Sequence, residues 1–408
     1  MKFEKLNERK VSRDPILGYI NIDYKIIWDL LNSKEMQRLR RIHQLGGTFQ
    51  VFPSAEHSRF THSLGTYENA RRIVEEVKDV KNLLSEEDKV KVMCAALLHD
   101  IGHGPFSHAF ESIHPVHHEK YSVQIIEKNS EVHQILKRVN PDFPNDVSSI
   151  IKKTNENPLL SQIVSSQIDA DRMDYLLRDA YFTGTPYGYF DVERILRVMK
   201  VTNNIITFKS SGISAIENYV MGRYHMYNQV YYHPTSISYE IIILKFLHRF
   251  KELYLNNYKF KQVPSILVPF FINEDLVSNE EHFLLDESTI IHYAKNAMNE
   301  DDLILKDLAR RLLNRDLFKY KVIDNEEEIE KIKQERIKNG FDPKYYLHQE
   351  RPVQVVYKKY GRQDMTAINI LTPNGEIKEL NEVSLVVKAL SQSRYTNKGE
   401  LTVFFPLI

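Results

Sequence analysis

A chain of 408 residues, 42% hydrophobic with only 14 glycines, can bury a large core and has room for more than one domain. Its 55 basic residues balance 55 acidic ones, so no global field draws it to nucleic acid or a membrane surface, and any basic site must be local. The lone cysteine, Cys94, excludes a disulfide framework and fits a reducing compartment. The N-terminus lacks the apolar run of a secretion signal, and Ile241–Leu244, the longest greasy run, is far too short to span a bilayer. A cytoplasmic protein with no membrane partner is the expectation.

In chain order, Asp14–Gly18 reads as a turn and Tyr19–Ile22 as a short alternating strand, followed by a helix from Ile26 to Leu31. Glu35–Ile42 reads as a helix with Met36, Leu39 and Ile42 inward and Arg38, Arg40 and Arg41 on the remaining surface. It runs into Gln44-Leu45-Gly46-Gly47, where paired glycines permit close backbone approach. His57–Gly65 opens a helix that continues to Val77, with His62 on its first turn. A helix N-terminus favours anions, so Arg59 just there suits a phosphate. Ser85-Glu86-Glu87-Asp88 resembles a capping box and starts a helix that ends near His99. Cys94, on its apolar side, reads as core.

The stretch from His99 to His108 holds three histidines and a carboxylate within ten residues. Adjacent helical residues point about 100° apart, so His99 and Asp100 share a ligand direction only if a cation sits in the angle between them. Gly102, Gly104 and Pro105 stop the helix and bring His103 and His108 back toward the same place; His117 and His118 follow. A buried histidine bonded to its neighbour is the plainer alternative, but six of the sixteen histidines fall between 99 and 118. Asp169–Asp179 adds a helix on which Asp171, Arg172, Tyr175 and Asp179 fall within an arc of about 100°. Arg223, Tyr227 and Tyr231 then recur every four residues on one face.

From about Tyr254 the composition changes. Helices are predicted around 280–319, a charged helix over Glu326–Lys338, and strands at Val353–Tyr357, Thr366–Leu371 and Leu401–Phe405 around one helix. The fold class is mainly α: a helical catalytic core over residues 1–255 and a smaller C-terminal α+β region over 256–408.

Two imidazoles and two carboxylates, His62, His99, Asp100 and Asp171, make a mixed N/O set that leaves positions for water and a phosphate oxygen. A cation there lowers the pKa of bound water, and His103, His108 and His118 supply protons for a leaving alkoxide. Arg59, Arg172 and Tyr175 can neutralise phosphate charge. The combination points to hydrolysis of a phosphate ester or anhydride.

At these residues the chain resembles the HD-domain superfamily, named for its His…His-Asp…Asp metal set. More narrowly it is similar to the deoxynucleoside triphosphate triphosphohydrolases, the dGTPases and the animal sterile-α-motif enzymes with their bacterial relatives. The matching motifs are Gln37–Arg40, Gln44–Gly47, Arg59–Gly65, His99–His108 and Asp169–Tyr175.

The resemblance implies an HD-domain helical core. It implies one divalent ion (Mg, Mn, Fe, Ni or Zn) on His62, His99, Asp100 and Asp171, with further Mg accompanying the triphosphate. It makes His108 and His118 catalytic, His103 supporting, and Asp171 part of the catalytic set. Arg59, Arg172, Tyr175 and Arg223 would hold the triphosphate of a dNTP; Gln44, Leu45 and Asp179 would read the sugar; Tyr227 and Tyr231 would lie near the base. It also implies a homotetramer activated by dGTP or GTP, bound by Lys10, Val11, Gln37 and Arg40 with Arg194, Lys209, Arg315 and Lys319 of neighbouring chains. Arg315 and Lys319 are taken as i and i+4 on one helical face. Asn32 and Ser211 replace an Asp and a Lys of the animal enzyme, which implies weaker guanine selectivity.

Two other readings share parts of this pattern. Another HD-domain phosphohydrolase, a nucleotidase or cyclic-nucleotide phosphodiesterase, needs the metal set but not the sugar wall. A non-catalytic nucleic-acid-binding oligomer could use Arg38, Arg40 and Arg41, but has no need of an intact quartet; nucleic acid is not a required partner.

Overall fold

The computed structural model describes residues 3–106, 108–323, 325–351, 367–392 and 401–407, with the side chains of His108 and Gln392 outside that description. The chain opens on an antiparallel hairpin, Lys5–Asp14 against Gly18–Tyr24, with Asp14 facing Gly18. The turn is made by Asp14, whose Oδ1 accepts the N–H groups of Ile16 and Leu17 at 2.9 Å each, and by Gly18 at φ +75°. Ile20 and Ile22 alternate into the core while Tyr19 faces solvent. The predicted strand is thus the second arm of a longer hairpin.

A mainly helical body follows. The helix Arg59–Glu76 is its axis, packed between Glu86–Leu98 and Ala170–Thr183. Each flanking helix starts on a side-chain cap: Ser85 Oγ accepts the Asp88 N–H at 3.1 Å, and Asp169 Oδ1 accepts the Arg172 N–H at 2.6 Å. Gly184, left-handed at φ +68°, ends the second. Close packing is set by Gly65, where a Cβ would lie 1.7 Å from Asp174 Oδ1, and by Gly102, where it would lie 2.3 Å from the His118 carbonyl oxygen. Cys94 is fully buried.

Two large hydrophobic cores and a small third one, Ile323, Ile332 and Val403, divide the described residues. The first runs from the hairpin through Val230 and takes in Ile368, Ile370, Leu380 and Val387; the second gathers Phe106–Tyr121 with Tyr239–Tyr346 and Phe404. Small sheets tie the chain end back. Ile205–Lys209 pairs with Met199–Thr202 on one side and runs parallel to Asn369–Leu371 on the other, and Thr402–Phe405 lies between Lys319–Val322 and His348–Glu350. No helix among the described residues is long and apolar enough to cross a membrane.

Several local expectations are corrected. The helix predicted over Glu35–Ile42 is α only over Lys34–Arg38 and continues as a 3₁₀ turn, Leu39–Arg41; Arg38 is 2% exposed rather than on the surface, because its guanidinium is held by the buried carbonyls of Leu285 and His103. The helix near residue 315 stops at Asn314: Arg315 is left-handed at φ +56° and Lys319 begins a strand, so the two cations do not share a helical face. Tyr227–Tyr231 forms a π-helical turn after Ile213–Met226, which interrupts the four-residue register. The strand predicted at Val353–Tyr357, and Thr366 of another, lie outside the described residues. Two helices, Leu380–Val383 and Leu385–Gln392, stand where one was predicted.

Candidate metal and phosphate site

The first turn of the Arg59 helix, the end of the Glu86 helix and the first turn of the Ala170 helix meet at one point, which brings His62, His99, Asp100 and Asp171 together. His62 Nε2 lies 3.1 Å from Asp171 Oδ1 and 3.8 Å from Asp100 Oδ2; His99 Nε2 lies 3.3 Å from Asp100 Oδ1 and 3.5 Å from Asp171 Oδ1. Neither Nε2 atom has a hydrogen-bond partner, although both are buried. Their opposite nitrogens are engaged: His62 Nδ1 with Asp174 Oδ2 and His99 Nδ1 with the Ala96 carbonyl, both at 2.9 Å. Those bonds fix each ring with its Nε2 aimed at the carboxylates, the arrangement by which outer partners orient metal-binding imidazoles. Bonds of about 2.1 Å to one ion place neighbouring ligands roughly 3.0–3.4 Å apart, close to the spacings here. The donor set fits a divalent cation.

Charge in the cluster is balanced by a second layer. Arg178 donates from Nε and Nη2 to Asp174 at 2.9 and 2.8 Å and from Nη1 to Asp14 at 2.7 Å, all buried. Arg59 Nη1 donates to Asp100 Oδ2 at 2.6 Å. Burial opposes charge on Asp171, but the imidazoles of His62 and His99 hold its carboxyl far below its ordinary value. Burial likewise opposes charge on Asp100, and His99 and Arg59 beside it outweigh that cost and hold its carboxyl well below its ordinary value. Burial would suppress a proton on His62, yet the carboxylates of Asp171 and Asp174 beside its two ring nitrogens push it up to about 10. A positive charge among these carboxylates is therefore strongly favoured.

Beside the quartet, His103 stacks on His118 with centroids 3.6 Å apart, and His103 Nε2 lies 3.5 Å from Asp100 Oδ1. His118 Nδ1 meets Glu111 Oε1 at 2.8 Å. Burial, then the charge of Arg59, presses the pKa of His103 well down, which keeps it neutral. His108 begins the short helix His108–Glu111; its side chain is not described.

A cavity of about 610 Å³ opens next to the quartet, walled by Gln44, Leu45, Arg59, Tyr175, Asp179, Tyr227 and Tyr231 among others. Asp179 is fixed there by His57 Nε2 and the Tyr231 hydroxyl, each at 2.8 Å. Arg172 and Arg223 stand outside the wall: Arg172 turns to Asp169 and the Ser166 carbonyl, and Arg223 Nη1 donates to Gln167 Oε1 at 2.8 Å. The residues assigned to a regulatory site are dispersed. Lys10 and exposed Val11 lie on the hairpin, Gln37 accepts from Arg40 Nε at 2.9 Å, Arg194 reaches the Ser211 carbonyl, Arg315 reaches the Gln50 carbonyl, and Lys209 and Lys319 are exposed.

Sequence reasoning did not single out Glu111, Asp174, Arg178 and His57, nor His348 and Glu350, which wall the cavity from the C-terminal part of the chain. A signal existed for Asp174, one turn after Asp171 on the same helix. None existed for His348 and Glu350.

Residues 59–179 match the HD domain family, and residues 190–254 match the HD associated region. The protein YwfO of Bacillus subtilis is 45% identical over 399 residues, covering 96% of this chain and 92% of that one. The chain belongs to the HD-domain family. A crystal structure of a phosphohydrolase from Bacteroides thetaiotaomicron superposes with a TM-score of 0.85 at 30% identity, covering 98% of this chain and all of that one. The deoxynucleoside triphosphate triphosphohydrolase SAMHD1 homologue of Dictyostelium discoideum is 34% identical over 250 residues, 57% of this chain and 48% of that protein. As an HD-domain phosphohydrolase, the chain uses a cluster of His and Asp side chains that can hold a metal ion.

Proposed function

We propose that this HD-domain protein hydrolyses deoxynucleoside triphosphates to a deoxynucleoside and inorganic triphosphate, with His62, His99, Asp100 and Asp171 holding one divalent ion. The observation that carries the reading is the continuity of the quartet with the cavity. Arg59 touches both Asp100 and the cavity, and beyond it Leu45, Tyr175, Asp179 and Tyr231 offer a partly polar wall in a cavity of about 610 Å³, roomy enough for a nucleoside. When bound, the ion supplies an activated water and a Lewis acid for a phosphoryl oxygen.

The chain's own residues do the remainder. Arg59 offers charge to the phosphate end, and further Mg accompanies the triphosphate itself. Arg172 and Arg223 would have to leave their present partners to assist. Glu111 orients the His118 ring through Nδ1, and Nε2 can pass a proton to the departing 5′-oxygen as the bond from that oxygen to the α-phosphorus breaks and water oxygen takes its place. His103 stacks on His118, and His108 is assigned a catalytic role with it. Tyr175 and Leu45 crowd the sugar, while Asp179 and Gln44 offer it hydrogen bonds and Tyr227 lies toward the base. A 2′-hydroxyl would meet buried groups without room or partner.

We assign residues 1–255 to the catalytic unit and 256–408 to a region that also carries oligomer contacts. Regulation is assigned to a homotetramer in which dGTP or GTP binds Lys10, Val11, Gln37 and Arg40 of one chain and Arg194, Lys209, Arg315 and Lys319 of others. The test is incubation with dNTPs, NTPs, nucleoside monophosphates and cyclic dinucleotides, with products separated by ion exchange. Intact triphosphate plus deoxynucleoside is expected, with deoxy substrates ahead by orders of magnitude. Orthophosphate and dNDP, or equal rates on ATP and dATP, would overturn the reading.

A further inference from the structure

Arg38 is an arginine in an improbable place. It lies 2% exposed on the last turn of Lys34–Arg38, and among the described residues no carboxylate stands within ion-pair distance; Asp286, the nearest acid to act on it, pairs instead with Arg41 at 2.5 Å. Its partners are two neutral carbonyls. Nε and Nη2 donate to Leu285 at 3.0 and 2.8 Å, and Nη2 also donates to His103 at 2.9 Å, while Nη1 has no partner. A buried cation without a counter-ion costs several kcal/mol in general, so a chain gains stability by replacing it unless its contacts serve something else.

The segment that Arg38 grips is held at its two ends, by Arg59 on Asp100 and the Gly102 N–H on Ser122 Oγ at 3.0 Å at one and by buried Phe106 at the other, while the His103 carbonyl between them is held by Arg38. Asp100–Phe106 is irregular: His103 N–H reaches back to the Asp100 carbonyl at 3.1 Å, Gly104 and Pro105 follow, and Phe106 sits at φ +51°, a left-handed conformation unfavourable for an aromatic residue. Gly102 is pressed against the backbone of Tyr121–Ser122 so tightly that no Cβ would fit. The His103 ring, stacked on His118 and 3.5 Å from Asp100, projects from the residue whose carbonyl Arg38 holds. Planar donors that reach two carbonyls at once fix both distance and orientation, which an ammonium group does not. The second carbonyl is equally well anchored, since Asp286 and Glu287 beside it bind Arg41 and His43.

We propose that Arg38 is a positioning residue for hydrolysis: its guanidinium ties the His103 carbonyl to the Leu285 carbonyl and thereby holds the His103 and His118 rings in register with the quartet. This rests on the reading that the quartet and its histidines hydrolyse a phosphate. Arg38 touches neither metal ligand side chains nor the cavity wall, so its removal acts on turnover through the loop.

Full-length Arg38→Lys and Arg38→Met proteins test this, with metal per chain measured by elemental analysis, kcat and KM measured on dNTPs, and amide exchange measured by mass spectrometry. Metal content and KM should stay near wild type. The value of kcat should fall about 100-fold in Arg38→Met and less, about tenfold, in Arg38→Lys, whose single donor nitrogen lacks the planar fork. Exchange should quicken across Gly102–Phe106 and not in Glu86–Leu98. Turnover within twofold of wild type in a folded variant would overturn the proposal, as would metal loss in proportion to kcat. If Arg38→Met does not fold, Arg38→Lys carries the test. If the wild type hydrolyses no dNTP, the proposed function falls separately, and unchanged exchange at Gly102–Phe106 in Arg38→Lys would still overturn the clamp.

Discussion

Around His62 every charged group meets an opposite one: Arg59 meets Asp100, Arg178 meets Asp174 and Asp14, and the imidazoles meet Asp100 and Asp171, nearly all of it buried. Around Arg40, Arg194 and Arg315 the cations meet neutral groups: the Phe60 ring at 3.6 Å with the Gln37 amide, the Ser211 carbonyl and the Gln50 carbonyl. The first arrangement is a site assembled inside one chain before any ligand arrives. The second consists of cations whose charge is still available to an outside anion, and no hydrogen bond or ion pair among the described residues links Gln37 and Arg40 to Arg194, Lys209, Arg315 or Lys319. A preassembled site is broken by any single loss, whereas a dispersed one is broken only where its parts act together.

Asp100→Ala is the largest expected loss, since it removes a proposed ligand, an imidazole partner and the anchor of Arg59 at once. Turnover should drop by at least about 1,000-fold, with metal content near zero by elemental analysis and the helical circular dichroism retained. Asp174→Asn should do less. It spares all four proposed ligands but weakens the orientation of His62, so metal affinity measured by chelator competition should fall roughly 10- to 100-fold. It also leaves Arg178 with a poorer partner, so thermal stability should drop with it. Normal metal affinity in a folded Asp174→Asn protein would show that His62 needs no outer carboxylate.

The dispersed group predicts a smaller and different effect. Arg40→Ala combined with Lys319→Ala should abolish stimulation by added dGTP or GTP, an effect of about fivefold or more where two sites are coupled, while metal content stays unchanged. Stimulation that survives the double change, or full activity in a monomer by analytical ultracentrifugation, would remove the inter-subunit reading.

What the sequence made legible follows the same divide. The clustering of His62, His99, Asp100 and Asp171 could be expected because each sits at a helix end marked by its own neighbours: Ser58-Arg59 before His62, Gly102 after Asp100, Asp169 capping the helix of Asp171. The burial of Arg38 could not be read, because its partners are backbone carbonyls, one of them 247 residues away, and a carbonyl leaves no mark in residue identity. Nor could the left-handed Arg315, which ends a helix where glycine or asparagine usually would. His348 and Glu350 reach the cavity only because Thr402–Phe405 pairs with their strand, a long-range choice that no local pattern announces.

The smallest effect lies where the two groups adjoin, at His43, one residue before Gln44. Its Nδ1 is hydrogen-bonded to Glu287, whose other oxygen accepts the His43 backbone N–H at 3.0 Å. That side-chain hydrogen bond, more than the burial that opposes it, raises the pKa of His43 above its ordinary value. A histidine raised in the folded state stabilises the fold fully below its unfolded pKa of about 6.5, and that contribution is lost as pH rises through the folded value. Glu287→Gln keeps an acceptor for the backbone N–H and removes the charge that favours protonated His43. Wild type should therefore exceed Glu287→Gln by about 1 kcal/mol at pH 6, a few degrees or less in Tm for a chain this long, because the pair is partly open to solvent. The difference in Tm should shrink toward pH 9 in calorimetric scans. A difference that stays constant across that range would mean that Glu287 acts on the backbone N–H alone, and that the segment leading into the cavity is held by geometry rather than by charge.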